Sequence, residues 1–400
     1  MARGGADVTL LERARTLGPV GAGILLQPTG LGVLRALGIE AGIRGCGASV
    51  HRLLGCAKGT ADRPGRVVLD VSYADLAAIL GEHEVWCGLG VQRGLVFTAL
   101  KDAALAAGVR LVQGVEVVDV RAGDSTPVAV DADGVEHGPF DVLVFADGSR
   151  NAVRERLGLV RRARTYAYRA MWFVGDDIEG EFAGVLSQVY QGTGAMVGFL
   201  PSGRLSLGEP ARVSVFWSLR LSDEAALRAG GVEEFKRLVC GLEPRASGVL
   251  RQLTDARQLV TAAYQDVVLR SPVKGRVVFV GDAAHAMSPQ LGQGANLALL
   301  DAASLASRLL GGSGGIDERL SAYARDRRGS TWYYQLASRW LTPVFQSGHE
   351  WIGPVRDMLM GPMCRFGPTR REMLLALAGV KTGLFSRMSL ERTRLNGTRG

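Results

Sequence analysis

Lysine is scarce in this 400-residue chain. Lys58, Lys101, Lys236, Lys274 and Lys381 are the whole supply, and arginine carries the rest of a basic balance that leaves a net charge of +8. No zinc-finger spacing, helix-turn-helix pattern or RNA-binding aromatic motif accompanies that charge, so no nucleic-acid partner is expected. Cysteine is sparse as well: Cys46, Cys56, Cys87, Cys240 and Cys364 are odd in number, widely spaced and form no CxxC pair. That argues against a disulfide framework or a structural metal site and for a reducing compartment. No apolar run reaches the roughly 20 residues that span a bilayer. Met1 to Gly5 lead into a strand-like segment without the apolar stretch of a signal peptide. A cytoplasmic protein is the expectation.

Glycine, by contrast, is abundant. Its 54 copies cluster between apolar runs, where turns and ligand-binding loops need them. Asp7 to Glu12 reads as a buried parallel strand. A Gly-rich loop follows at Gly18 to Gly23, then a short helix from about Thr29 to Leu37, stopped by Gly38. Gly94 to Ala107 is spaced as a helix, and Val109 to Val112, Glu116 to Arg121 and Val128 to Val130 as strands. Asp141 to Ala146 (DVLVFA) is a buried strand closed by Asp147-Gly148. From Arg161 to about Ser271 the pattern becomes that of a twisted antiparallel sheet, interrupted by one helix near Val232 to Cys240. Arg276 to Val280 (RVVFV) returns to a buried strand, followed by a long helix from about Gly294 to Leu310. From Ile316 onward the chain reads as helical.

The strongest chemical signal is Gly281-Asp282-Ala283-Ala284-His285 followed by Pro289-Gln290-Leu291-Gly292-Gln293-Gly294-Ala295-Asn296. A buried strand brings Asp282 to the carboxyl edge of a sheet, where its carboxylate can accept from a polyol. The glycines let backbone approach a flat ring, and the helix near Gly294 turns its positive end towards that ring. Glu12 ends a strand where a carboxylate can accept from adenosine ribose hydroxyls, although a surface glutamate would look the same.

Together these segments resemble the group A flavoprotein monooxygenases of the para-hydroxybenzoate hydroxylase and ubiquinone-biosynthesis hydroxylase type. The resemblance implies that Asp282 contacts the ribityl chain of FAD, with Gly281, Pro289, Gly292, Gly294, Ala295 and Asn296 beside the isoalloxazine. It implies a structural rather than catalytic His285. Asp147, Gly148 and Arg154 match the family's Asp-Gly motif for FAD and NAD(P)H, with Asn151 where serine is usual. Glu12 and Arg13 would lie at the ribose, Gly23 and Ile24 near the flavin, and Arg93 near the phosphates. The implied fold is α/β: a discontinuous FAD-binding Rossmann-like domain (1–70, 92–158 and 272–312), an inserted β-rich substrate domain (71–91 and 159–271) and a helical C-terminal region (313–400). The implied reaction hydroxylates an aromatic or quinone-type small molecule with NAD(P)H and O2, through a flavin hydroperoxide.

The family opens with a strand, GxGxxG and a helix ahead of the segment that begins this chain, so the FAD-binding domain is expected to be N-terminally incomplete. A truncated, non-catalytic remnant is therefore one alternative, and a reductase of prenyl-type substrates on the same fold is another. The WxWxIP segment of flavin halogenases is absent. No His/Asp/Tyr constellation names a catalytic base; Arg169, Tyr190 and Trp217 stand out no more than ordinary sheet residues. Trp332, Tyr333, Trp340, Phe345 and Trp351, mixed with arginines and methionines, read either as a helical cap with arginine stems over apolar surface or as a peripheral membrane contact.

Overall fold

Alternation of residues in the middle of the chain builds the largest layer. Seven strands hydrogen-bond in the order Val260–Leu269, Val160–Asp176, Arg212–Arg220, Ala195–Pro201, Val185–Gln191, Arg52–Ala57 and Arg66–Ser72. The structure, a computed structural model, describes residues 1–18, 21–59, 65–80, 86–122 and 126–390. Pro19 and Val20 of the expected glycine-rich loop, and 391–400 of the tail, lie outside them. The last two strands of the sheet belong to a stretch that the sequence groups mainly with the first domain. They join here because Arg52–Ala57 runs parallel to Val185–Gln191, a long-range pairing that no local pattern announces.

One face of this sheet is the core of the molecule. Met171, Phe173, Val197, Phe199, Val215 and Trp217 point to the same side and bury against Leu227, Phe235 and Val239 of the helix Glu224–Leu242. Phe182 stacks on Phe199 with centroids 4.3 Å apart. The helix runs longer than its sequence spacing suggests and is broken at Gly231, whose φ of 68° takes it out of helical geometry. The 17-residue strand Val160–Asp176 serves both neighbours by shifting register between Thr165 and Arg169, as a bulge permits.

The apolar triplets form the parallel strands. Leu143–Phe145 pairs in parallel with Val277–Phe279, and Phe145 and Phe279 stack 5.1 Å apart. Thr9–Glu12 pairs in parallel with Arg110–Gln113 in a separate two-stranded sheet. The helix Pro28–Ala36 starts on Pro28, whose missing N–H is no loss in a first turn. Helices Ile316–Phe345, Ile352–Arg365 and Gly367–Leu377 follow and supply Tyr334, Phe345, Leu374 and Leu375 to the interior. The mixed α/β class, the interrupted β-rich sheet and the helical C-terminal region are those expected. Among the described residues, no helix is long and apolar enough to cross a membrane.

The Glu224–Leu242 helix holds the sheet through Phe235, which has no exposure. Phe235→Ala is expected to lose about 3–5 kcal/mol, read as a lower urea midpoint at unchanged m-value.

Candidate functional site

Strand Val277–Phe279 is buried along its whole length and ends at Gly281, whose φ of 57° only glycine adopts freely. The turn lets the Gly281 N–H donate to Asp301 Oδ2 at 2.9 Å. His285 Nε2 shares that carboxylate oxygen at 2.5 Å, and Arg327 Nε donates to Oδ1 at 2.7 Å. Burial by itself would raise the pKa of Asp301, but His285, Arg327 and the Gly281 N–H hold it well below the usual carboxylate range. His285 Nε2 is thus engaged by Asp301, while its Nδ1 is buried without a partner.

After this knot the chain runs through Pro289–Leu291 to Gly292, left-handed at φ 61°, and then into the helix Gly294–Gly311. Asp282 is exposed, and a Cβ built on Gly294 would sit 4.0 Å from its Oδ1. Carboxylate and helix mouth therefore share one spot. Asn296 is fully buried and acts as a clamp. It accepts from the Gln27 N–H at 2.8 Å and donates to Leu25 O at 3.3 Å and Gly292 O at 3.2 Å. Its side chain thus spends its bonds on backbone, joining the Gly23–Leu26 strand to the motif. Ile24 and Gly23 lie on that strand, where Ser214 Oγ receives the Gly23 N–H at 2.8 Å.

The other expected residues fall around this clamp unequally. Arg93 lies along Gly21, with its Cδ 3.1 Å from where a Gly21 Cβ would be. Arg154 is buried and donates to Ala283 O at 2.9 Å and to Ser149 O, so it ties the Asp147-Gly148 turn to the Asp282 turn. Asp147 accepts both of its bonds from Asn151 Nδ2 at 2.8 Å; asparagine in the serine position serves the turn itself. Glu12 accepts from the Ala14 N–H at 2.8 Å. Exposed Arg13 faces Glu116 at 3.9 Å. Ala295 opens the Gly294–Gly311 helix and Pro289 the turn before it.

Sequence reasoning gave Gln27 and Gln293 no role beyond membership of their segments and overlooked Asp301 and Arg327. Gln27 Oε1 accepts from Tyr73 Oη at 2.6 Å, and Gln293 Nε2 donates to Leu377 O at 2.6 Å. Their remaining atoms, Gln27 Nε2 and Gln293 Oε1, are buried without a partner. A free donor and a free acceptor beside glycine backbone suit a planar heteroaromatic ring that accepts and donates, and the isoalloxazine of FAD is such a ring. These residues fit the flavin. Among the described residues no cluster of His, Cys, Asp or Glu could hold a metal ion. Of the sheet candidates, Arg169 pairs with Glu224 at 2.7 Å and Trp217 lies in the helix-side core. Only Tyr190 is on the opposite face, where its hydroxyl donates to Gln188 Oε1 at 2.5 Å.

A family model described as FAD binding domain matches residues 1–335. Aurachin C monooxygenase/isomerase of Stigmatella aurantiaca is 28% identical over 311 residues, covering 76% of this chain and 74% of its own. A 3-hydroxybenzoate 6-hydroxylase of Aquipseudomonas alcaligenes is 28% identical over 369 residues, covering 91% of this chain and 89% of its own. In fold, the tetrameric form of 2-methyl-3-hydroxypyridine-5-carboxylic acid oxygenase superposes with a TM-score of 0.73 at 21% identity, over 94% of this chain and 92% of that one.

Asp301→Asn would leave Arg327 buried without its counter-charge, at a cost of about 3–5 kcal/mol. The depressed Asp301 pKa contributes stability that is present above the unfolded value near 3.9 and lost as pH falls below it. Thermal melts are expected to show the native chain losing Tm steeply below about pH 4, with the Asn variant lower throughout and flatter.

Proposed function

The chain belongs to the FAD binding domain family, and from that premise we propose that it is an FAD-dependent monooxygenase hydroxylating a small aromatic or quinone-type ring with NAD(P)H and O2. The observation that carries the proposal is the meeting of two glycine-bearing loops at Asn296, with the open amide atoms of Gln27 and Gln293 beside them. Bound FAD supplies the redox chemistry, taking electrons from NAD(P)H and activating O2.

The chain's own residues bind and orient. Asp282 accepts from a ribityl hydroxyl. The N–H groups from Gly292 to Asn296, at the positive end of an 18-residue helix, favour negative charge on the ring. Glu12 is assigned to the ribose hydroxyls, Arg93 to the phosphates, and Asp147 with Arg154 to the turn that meets both cofactors. The sheet face opposite the Glu224–Leu242 helix keeps water from the reacting ring.

Titration of the full chain with FAD, followed by aromatic-stimulated NAD(P)H oxidation under O2, tests this reading. Asp282→Ala is expected to lose a charge-assisted hydrogen bond, about 1.5–3 kcal/mol or roughly 10- to 100-fold in FAD affinity. Unchanged affinity would remove Asp282 from the ribityl, and absence of flavin binding by the native chain would overturn the function.

A peripheral membrane contact is the second reading for the C-terminal helices. Trp340, Trp351 and Phe366 are 74%, 68% and 62% exposed, with Met358, Leu359 and Met363 also outside and Arg365 and Arg371 among them. Aromatic and basic side chains together suit a headgroup boundary. Replacing Trp340, Trp351 and Phe366 together by Gln should abolish sedimentation with anionic vesicles at unchanged Tm. Equal sedimentation, or none by the native chain, would leave these helices as a cap alone.

A further inference from the structure

The flavin-side face of the seven-stranded sheet differs from its core-side face. Hydrogen-bonded register puts Leu69, Gly55, Gln188, Gly198, Phe216 and Trp172 in one row across six strands. On the opposite face Met171, Val197, Phe199 and Val215 are shut in, whereas Leu69, Gln188, Phe216 and Trp172 stay only half-buried. Yet this row is roofed. Leu25 of the Gly23–Leu26 strand packs with Leu200 and Phe216 of the sheet on one side, while Phe345 and Met360 of the C-terminal helices pack against Leu69 and Phe216 on the other. Between these two packed groups Leu69, Gln188, Phe216 and Trp172 keep accessible surface, the space in which a ring could lie. Gly198 lets the Phe216 ring lie flat across the row, since a Cβ there would run into that ring.

That space has no charge of its own. Over the five inner strands, neither this row nor the rows two residues to either side contain Asp, Glu, Lys, Arg or His. Of their polar members, Ser214 is bound to the Gly23 N–H and Ser218 to Gln346 Nε2. Tyr190 donates to Gln188 Oε1, and burial keeps its hydroxyl protonated far above the ordinary range. Arg356 lies 4.7 Å over the Tyr190 ring and 5.6 Å over that of Phe345, and is paired with Asp357 at 2.7 Å. Its charge is matched and covered by two rings. What remains is Gln188 Nε2, which has no partner among the described residues.

We propose that this chamber takes a neutral, apolar aromatic ring bearing one oxygen acceptor, and that Gln188 is the specificity-determining residue that donates to that oxygen. The inference rests on the monooxygenase reading for its flavin and deepens it by choosing among substrate classes. A ring carboxylate would enter without a cation to meet it, and an unpaired buried charge is the costliest arrangement a site can offer. A carbonyl or phenol oxygen needs only one neutral donor.

The test is calorimetric titration of the full chain, with and without FAD, using 4(1H)-quinolone and 3-hydroxybenzoate as probes at neutral pH. The quinolone is expected to bind at least about tenfold tighter than the benzoate. Gln188→Leu should weaken the quinolone about three- to tenfold without rescuing the benzoate. Gln188→Glu, of the same shape but without the donor, should weaken it further, while thermal melts check that both variants fold. Tighter binding of the benzoate, binding of neither ring, or a quinolone affinity indifferent to both variants overturns the inference. Flavin binding is read in the same samples. A chain that holds FAD but fails the ring test leaves the monooxygenase reading intact. A chain that passes the ring test without holding FAD supports the chamber and removes that reading.

Discussion

A carboxylate with 1% exposure cannot stay ionised in a protein interior unless its surroundings are built for it, and Asp301 is the point around which this site is built. Its two oxygens take one backbone N–H, one imidazole and one guanidinium. Each partner belongs to a different piece of structure: the turn after a buried strand, the short helix that follows, and the long C-terminal helix. Charge-assisted bonds of this kind are directional and costly to leave half made. They lock the turn that carries Asp282 and fasten the C-terminal helices to it. Arg154 repeats the device on a smaller scale, binding the Asp147 turn to Ala283 O.

The sequence made legible what is local. The run from Gly281 to Asn296 could be read as strand, turn and helix because apolar residues, glycines and an acid succeed one another within a few positions, and the structure keeps that order. Asp301 and Arg327 were illegible for the opposite reason. One is an acid in a helix that looks amphipathic, the other one arginine among many, and only folding brings them to 2.7 Å. Gln27 and Gln293 stand inside segments that the sequence singles out, but their amides carry no signal of their own; they matter because each has one amide atom paired and the other buried without a partner. The strands at Arg52–Ala57 and Arg66–Ser72 were misjudged in placement because a parallel partner some 130 residues away leaves no mark on local periodicity.

The two faces of the central sheet show how one alternating pattern serves two purposes. Odd positions such as Phe173, Phe199 and Val215 are large and apolar and close the core. Even positions mix glycine, glutamine and aromatics, and so leave room. In a chain with 22% charged residues, three adjacent rows free of charge across five strands are a chemical selection as definite as a placed arginine would be.

The Asn296 clamp also bears on how the polypeptide comes off the ribosome. The loop ending at Gln27 is made well before its partners: the acceptor of its N–H lies 269 residues further on, and Thr29 Oγ1 donates to Ala378 O, 349 residues away. Until those partners emerge, the loop's polar groups are left to water and its apolar surface lacks the native cover. Closure across such separations is slow and exposes sticky intermediates. The Gln27 loop therefore becomes native only after the Gly294–Gly311 and Gly367–Leu377 helices have been made.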